Sequence, residues 1–519
     1  MALDNKKTYA ALFLLLLFVF IINVVSLTDG HDWGDDFASF ISAAKSIAEG
    51  TMDEFISINK YRVKNSTLWI GPVDGEWGTC LLLSPVYHVF GLDVHAMKIY
   101  LVFFFSLSLL SLFLLLRDKL DNLQSLLLTA VLGFNPWFFE FKDHISSDMP
   151  YLFFSLATLL LIQRFIISDK IWINKSTSYF LLGFFMFFSS FTRPFGFLLV
   201  PTLLCAQFFH NRGTLRNFIF SDRIKFMPYI IFFVLNAASV WFFSSEDITG
   251  GEYGHLNKLF NEIRLSSIIM NIKYYIVLPA RYFPYLFVKY SVFGLGYDKI
   301  HLILYLIMLF FVVSGMIRNR KDDYMYIWYV LFNLVLVIIF PPRAPWYVMP
   351  IFPFFIYFLF AGLKGISLSL DLSDKVRFTN INAAYLFCIG LILISFVYML
   401  HTAYKSIIFN KSGQVVDGPY SPDSVEMFNY IKKNTNKDDA IIFHKPRAMT
   451  LYTDRKSFAM DHFTFTPDKA YDSDAKYIVI AKKKYIDFDL RFDDFQGKLE
   501  CEFENNSFYL CDLKKNRSR

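Results

Sequence analysis

The sequence predicts a mainly α-helical fold: a polytopic transmembrane bundle of about eleven spans, interfacial helices in the first extracytoplasmic loop, and a small C-terminal α/β domain outside the membrane. Three observations predict it. Of 519 residues, 55% are hydrophobic, among them 62 Phe, and only 18% are charged, whereas soluble globules approach a quarter. The apolar residues gather into runs long enough to cross ~30 Å of hydrocarbon as helices. Beyond residue 402 the composition changes, with 20 Lys and Arg and 18 Asp and Glu in the last 117 residues.

The runs lie at about 8–28, 97–116, 122–139, 148–166, 177–192, 195–211, 226–243, 300–317, 324–340, 346–363 and 381–402. Basic residues mark alternate loops: Lys6 and Lys7, Arg117 and Lys119, Arg164, Lys170 and Lys175, Arg212 to Lys225, Arg318 to Lys321, and Lys364 to Arg377. If the spans alternate, these clusters share one side, and the positive-inside rule makes it and the N-terminus cytoplasmic. The first run lacks a small-residue cleavage site and reads as a retained anchor. The bundle (1–402) then sends out loops 29–96 and 244–299, followed by a soluble domain over 403–519. The net charge of +6 is largely explained by the cytoplasmic clusters and implies no nucleic-acid partner. No phosphate-binding loop is present in the sequence, which disfavours a nucleotide-driven pump.

In the first loop, His31-Asp32-Trp33-Gly34-Asp35-Asp36 precedes Phe37, Phe40, Ile41, Ala44, Ile47 and Ala48, an apolar stripe at helical spacing that stops at Gly50. The predicted helix lies flat on the bilayer with two carboxylates at its start. Asp35 or Asp36 either caps the helix or does chemistry, as a general base tuned by its neighbour or as an oxygen ligand for a divalent cation. No second ligand cluster at a definite spacing supports the metal, so none is expected.

Between the third and fourth spans, Glu140, Asp143, His144 and Asp148 put three acids and an imidazole at the membrane boundary, where ionisable groups tend to be functional. Ser147 or Asp148 as a helix cap is the alternative. Two arginines beside prolines, Thr192-Arg193-Pro194 and Pro341-Pro342-Arg343-Ala344-Pro345, fall at outer span ends, either snorkelling to headgroups or gripping a lipid-borne phosphate. The 244–299 loop holds Arg264 and Arg281 among tyrosines, with Leu259, Ile263, Ile268 and Ile272 suggesting an interfacial helix. Such residues anchor a protein at the interface or line a site for an anionic headgroup and a sugar.

In the C-terminal domain, Ser421-Pro422 opens a helix through Val425, Phe428 and Ile431. Ala440–Phe443 and Tyr477–Ile480 read as buried strands, and Leu499–Leu513 as a hairpin turning at Asn505-Asn506. Cys501 and Cys511 are each five residues from Asn506, within disulfide reach unless the register slips by one. Cys80, Cys205 and Cys388 read as packing residues. Lys445-Pro446-Arg447 and Asp454-Arg455-Lys456 read as charged surface turns, with acceptor contact as the alternative.

On these residues the chain resembles the GT-C superfamily of membrane glycosyltransferases, in the branch of protein O-mannosyltransferases and the bacterial aminoarabinose transferase that modifies lipid A. That branch opens its first loop with Asp-Glu or Asp-Asp and an interfacial helix ending in Gly, similar to Asp35, Asp36 and Gly50. Thr192-Arg193-Pro194-Phe195-Gly196 resembles its Arg-Pro-Glu-Gly-like segment, and Arg343 with Tyr347, Pro350 and Pro353 its Arg-Tyr-x-x-Pro-x-x-Pro-like span. Ser147-Asp148-Met149-Pro150 resembles the acidic segment opening its fourth span. Leu83-Ser84-Pro85-Val86-Tyr87 departs from the pattern, and the fuller acidic motifs of metal-dependent oligosaccharyltransferases are missing from the sequence.

The resemblance implies an inverting transferase in a bacterial-type inner membrane. Its donor would be a polyprenyl-phosphate-linked sugar and its acceptor a hydroxyl of a lipid, glycan or protein. Asp35 would be the general base with Asp36 orienting it, and Arg193 and Arg343 would hold the donor phosphate. Asp143, His144, Asp148, Arg264 and Arg281 are candidates for substrate binding. A transporter or flippase of lipid-linked sugars would instead carry its acids and arginines at midspan near broken helices. A non-catalytic anchor for the C-terminal domain is the third reading.

Overall fold

The computed structural model describes residues 4–68, 70, 77–171, 174–210, 223–243, 263–277, 297–340, 343–373, 376–461, 466–482 and 499–514. Its helices are α1 (Asn5–Val25), α2 (Asp35–Glu49), α3 (Met52–Asn65), α4 (Trp77–Phe90), α5 (Val94–Arg117), α6 (Asn122–Gly133), α7 (Pro136–Glu140), α8 (Asp148–Ile162), α9 (Lys175–Thr192), α10 (Leu199–His210), α11 (Met227–Phe243), α12 (Leu265–Val277), α13 (Tyr297–Arg318), α14 (Tyr324–Ile339), α15 (Phe352–Leu363) and α16 (Ala383–Lys411). Every predicted apolar run lies on a helix. The third is broken in two, because Asn135 caps α7 by accepting the Trp137 amide and Pro136 takes its first position, a start signal inside the apolar run.

Six stretches, Asn5–Val25, Val94–Arg117, Asp148–Ile167, Arg223–Phe243, Pro345–Leu363 and Ala383–Lys411, are long and apolar enough to cross a membrane, with four shorter apolar helices beside them. Large apolar side chains face outward, including Phe13 on α1, Trp241 and Phe242 on α11, Phe310 on α13 and Val397 on α16. Water would not tolerate so extensive an apolar surface. The chain is a multi-pass membrane protein.

Described members of the basic clusters meet at one end of the bundle. There Arg117 reaches Tyr9, Lys119 pairs with Asp323 at 3.3 Å, Arg164 with Asp118 at 2.5 Å, and Arg318 donates to the Ala361 carbonyl at 3.2 Å. At this end the segment between α15 and α16, expected as loop, forms an antiparallel hairpin of β1 (Ser367–Ser373) and β2 (Val376–Asn382).

At the opposite end lie loop 1, with α2 to α4, and the C-terminal domain, which α16 enters directly. This domain contains α17 (Pro422–Asn434), β3 (Ala440–Ile442), α18 (Pro446–Thr453), β4 (Lys456–Phe458), α19 (Pro467–Asp472), β5 (Tyr477–Ala481), β6 (Cys501–Glu504) and β7 (Phe508–Asp512). The sheet order is β4-β3-β5-β7-β6, with β3 parallel to β4 and β5, and the β5, β7 and β6 pairs antiparallel. One face carries Ile442, Ile478 and Ile480 against Ala470 of α19. The other carries Ile441, Phe443, Val479 and Phe508 against α17, α18 and loop 1. The sheet is therefore the middle of three layers.

Loop 1 completes this second core. Trp33 is buried with its ring 5.7 Å from Phe443, 6.0 Å from Phe508 and 6.4 Å from Phe428. The predicted stripe of α2 corrects the sequence expectation: Phe37, Ile41 and Ala44 are buried by protein, among Trp77, Cys80 and Leu83 of α4 and residues of the C-terminal domain. An apolar stripe specifies that it will be covered, and a neighbouring helix satisfies it as well as lipid does. Gly50 ends α2 as expected, at φ +71°, where a side chain would be strained.

The predicted surface turns are also corrected. Pro446–Thr453 is a helix, and Arg455 is buried, its guanidinium donating to Thr435 Oγ1 at 3.0 Å and to the Thr453, Thr435 and Lys432 carbonyls. Cys501 and Cys511 face one another across β6 and β7 and form a disulfide, while Cys80, Cys205 and Cys388 are free thiols. Alkylation of the denatured protein without reductant is expected to tag those three alone, and all five cysteines after reduction; intact mass reads the difference.

Candidate functional site

The connection from α1 to α2 is positioned by buried charge. Asp143 Oδ1 accepts the Thr28 amide at 2.8 Å and lies 3.5 Å from Lys98 Nζ, while Oδ2 pairs with Lys142. Lys98, near the start of α5, also donates to the Thr28 and Gly30 carbonyls at 2.9 and 2.7 Å. Both lysines are buried. Burial alone would push the Asp143 carboxyl up, but Lys142, Lys98 and the Thr28 amide together hold it below the usual carboxylate range. From the other side Asn410, at the end of α16, bonds to Leu27 and Asp29.

His144 stands next to this anchor and brings the second loop onto the first. Its ring lies 6.1 Å from that of His31, which stacks on Phe37 of α2 at 4.0 Å. His31 Nε2 accepts the Ile145 amide at 3.3 Å, so its proton belongs on Nδ1, 3.0 Å from the Asp32 carboxylate. Asp32 also accepts the Gly34 amide at 3.1 Å, closing the turn into α2. The hydrogen bond from His31 holds the half-exposed Asp32 carboxyl far below its ordinary value, against the opposing effect of burial.

His31, Asp32 and His144 offer ligand atoms within 4.8 Å of one another. This is the second ligand cluster that spacing could not reveal, since its members come from two loops. In this arrangement His31 directs Nε2 to the Ile145 amide and Nδ1 to Asp32, so a cation would have to displace the amide's hydrogen bond or the Nδ1 proton.

The helix start differs from the capping expectation. Gly34 is the N-cap residue of α2 and no side chain caps it. The Asp36 carboxylate instead accepts from Arg447 of α18 at 2.8 Å. Asp35 opens the first turn, and its side chain lies outside the described residues.

Arg193 forms the other half of the site. Pro194 excludes the helical region for the residue before it, so Arg193 is extended at φ −157°, ψ 133° and α9 stops at Thr192. The chain then turns through a 3-10 helix, Pro194–Leu198, whose Gly196 sits so close to α9 that a Cβ would lie 2.3 Å from the Ser189 carbonyl carbon. Arg193 thereby enters the bundle, buried, paired with Asp148 and over the rings of Tyr347 and Phe195 at 5.3 and 5.8 Å. Asp148 is thus an ion-pair partner, which corrects the capping alternative; no side-chain bond caps α8.

Tyr347 follows Arg343 in the connection to α15. Arg343 is exposed, next to Ala344, whose amide donates to Tyr275 of α12 at 3.3 Å. Phe195, Phe340 and Tyr347 form an aromatic cluster beside Arg193. Arg264 is exposed just ahead of α12, and Arg281 lies outside the described residues.

The structure therefore joins Asp143, His144 and Asp36 around loop 1, and links that group to Arg193 through the single connection 141–148. The sequence reading places Arg447 in a surface turn, gives Lys142 no role and does not single out Lys98. Lys98 carried a signal, a lone cation at the end of an apolar run, where an ionisable residue requires a partner.

No protein-family model matches the sequence, and no curated protein matches it significantly. Solved structures match the fold. Crystal structures of ArnT from Cupriavidus metallidurans, in the apo state and bound to undecaprenyl phosphate, superpose with TM-scores of 0.54 and 0.53 at 10% identity, each covering 98% of both chains. The oligosaccharyltransferase AglB of Archaeoglobus fulgidus, in complex with an inhibitory peptide and a dolichol-phosphate, superposes with a TM-score of 0.51 at 11% identity, over 92% of this chain and 70% of its own. The chain has the GT-C fold of these glycosyltransferases.

Two outcomes follow from the geometry. Asp148→Asn leaves Arg193 buried without its counter-charge and is expected to cost about 3–5 kcal/mol, whereas Asp148→Leu with Arg193→Met recovers most of it; thermal unfolding in detergent compares them. Burial holds the His144 imidazole below its ordinary value of 6.5. Between those two values the unfolded chain binds the extra proton, so stability is fully present above pH 6.5 and falls as pH drops below it. His144→Gln is expected to flatten that fall down to the carboxylate range, read as unfolding midpoint against pH.

Proposed function

We propose that this protein is an inverting glycosyltransferase that moves a sugar from a polyprenyl-phosphate donor to a hydroxyl acceptor on the extracytoplasmic face of the plasma membrane. The observation that carries this reading is the meeting, at one end of a GT-C bundle, of the acidic first turn of α2, the 141–148 connection and Arg193. Two structures of the same fold hold lipid phosphates, undecaprenyl phosphate in one and dolichol-phosphate in the other, which supports a donor of that class. In this reading the bundle spans 1–402 with its N-terminus cytoplasmic, and 403–519 is extracytoplasmic.

The acceptor hydroxyl oxygen attacks the anomeric carbon from the face opposite the phosphate. Its proton passes to Asp35 as the glycosidic C–O bond to the phosphate breaks, and the lipid phosphate leaves with the bonding pair. A base so placed contributes roughly 10² to 10⁴ in rate. Arg343, exposed, meets the phosphate first. Arg193, preorganised by Asp148 and the aromatic cluster, stabilises the charge that develops on it in a site of lowered dielectric. Asp143 and His144 hold loop 1 in register with this attack.

The test is transfer of a radiolabelled sugar from a synthetic polyprenyl-phosphate donor by the purified protein, to a panel of a hydroxylated glycolipid, an oligosaccharide and a Ser/Thr peptide. The wild type is expected to label one of the three, and Asp35→Asn to lose about 10² to 10⁴ in rate. Full activity in Asp35→Asn would overturn the base assignment, and substrate flux in vesicles without any transfer would overturn the enzyme. A chelator added to the same assay decides whether a divalent ion takes part.

A further inference from the structure

Arg447 of the C-terminal domain contacts the acidic turn of α2. It lies in the first turn of α18, where Pro446 takes the opening position. Its guanidinium donates from Nη1 to Asp36 Oδ1 at 2.8 Å and from Nη2 to the Ile70 carbonyl. The planar fork suits two acceptors at once, which a lysine cannot match. The guanidinium is largely covered, while Asp36 is 82% exposed.

Magnitudes separate this contact from domain docking. An ion pair with so exposed a partner contributes little, because water and salt screen it. Burying a Trp removes roughly 150–250 Å² from water, and Trp33 is buried in the shared core. Polar contacts further along the interface add to it: Asp454 takes Lys45 at 3.1 Å, and Arg62 donates to Thr450 at 2.8 Å. The domain is seated without Arg447, whose contact then serves orientation rather than attachment.

Resting on the transfer reading above, we infer that Arg447 is a positioning residue of the acceptor side: from the C-terminal domain it fixes the Asp36 carboxylate, and with it the first turn of α2 on which Asp35 stands. The acceptor hydroxyl is then presented between loop 1 and the C-terminal domain, and the pairing of Asp36 belongs to the site's architecture instead of to proton transfer.

The experiment compares Arg447→Met, Arg447→Lys, Asp36→Asn and the Asp36→Asn/Arg447→Met double variant in the full-length protein. Arg447→Met is expected to lower kcat/KM for the acceptor that the panel identifies by about 10- to 100-fold, leaving the Kd for undecaprenyl phosphate unchanged. Asp36→Asn should lose a similar factor, the double variant no more than either single, and Arg447→Lys less than Arg447→Met because the charge remains. Losses that multiply in the double variant, or an equal loss in undecaprenyl phosphate binding, would overturn the inference. Hydrogen exchange reads it independently of activity: in Arg447→Met the amides of the first turn of α2 should exchange faster while β3, β5 and β7 keep their protection. Unchanged exchange at that turn, or faster exchange through the whole domain, would also overturn it. Wild-type protein inactive with every acceptor would sink the transferase reading, and the exchange measurement would still judge Arg447.

Discussion

A single carboxylate held between two buried lysines sets the geometry at the end of the bundle where loop 1 sits. Asp143 takes the Thr28 amide and the charges of Lys98 and Lys142, and Lys98 in turn closes on the carbonyls of Thr28 and Gly30. Charges removed from water are tolerated only when paired and hydrogen-bonded, so the three groups have one workable arrangement. It ties α1, α5 and the entry to α8 to one another and fixes the point from which α2 departs. Asp148 ends the same connection and holds Arg193. The acidic half and the cationic half of the site are thus held by one short segment of chain.

The fold was largely legible because its signals are local. Apolar runs marked helices, Gly50 marked the end of α2, and the spacing of Cys501 and Cys511 about Asn506 marked a hairpin that the structure closes with a disulfide. The β1–β2 hairpin also carries a local signal: Ser-Leu-Ser-Leu-Asp-Leu-Ser alternates at the period of a strand. Among the described residues, the contacts of Arg117 and Lys119 lie at one end of the bundle and those of Asp143 and Asp36 at the other.

The residues of the candidate site can be picked out singly in the sequence, but their pairings cannot. Asp148 reads as a helix cap until Arg193, 45 residues on, supplies the counter-charge. Asp36 reads the same way until Arg447 reaches it from 411 residues away. Arg455 looks like part of a surface turn because Asp454 and Lys456 flank it, although four acceptors around Thr435 and Thr453 draw it into the interior. Local propensity describes what a residue does without a partner, and in each case a tertiary partner changed the outcome.

The core shared by loop 1 and the C-terminal domain has a consequence for the order of synthesis. Asp36 leaves the ribosome 411 residues ahead of Arg447, which at about 5–20 residues per second is roughly 20–80 s. For that interval Trp33 and the apolar stripe of α2 exist without the strands that will cover them. Loop 1 therefore cannot bury its own apolar face, and this core closes only with the strands made last.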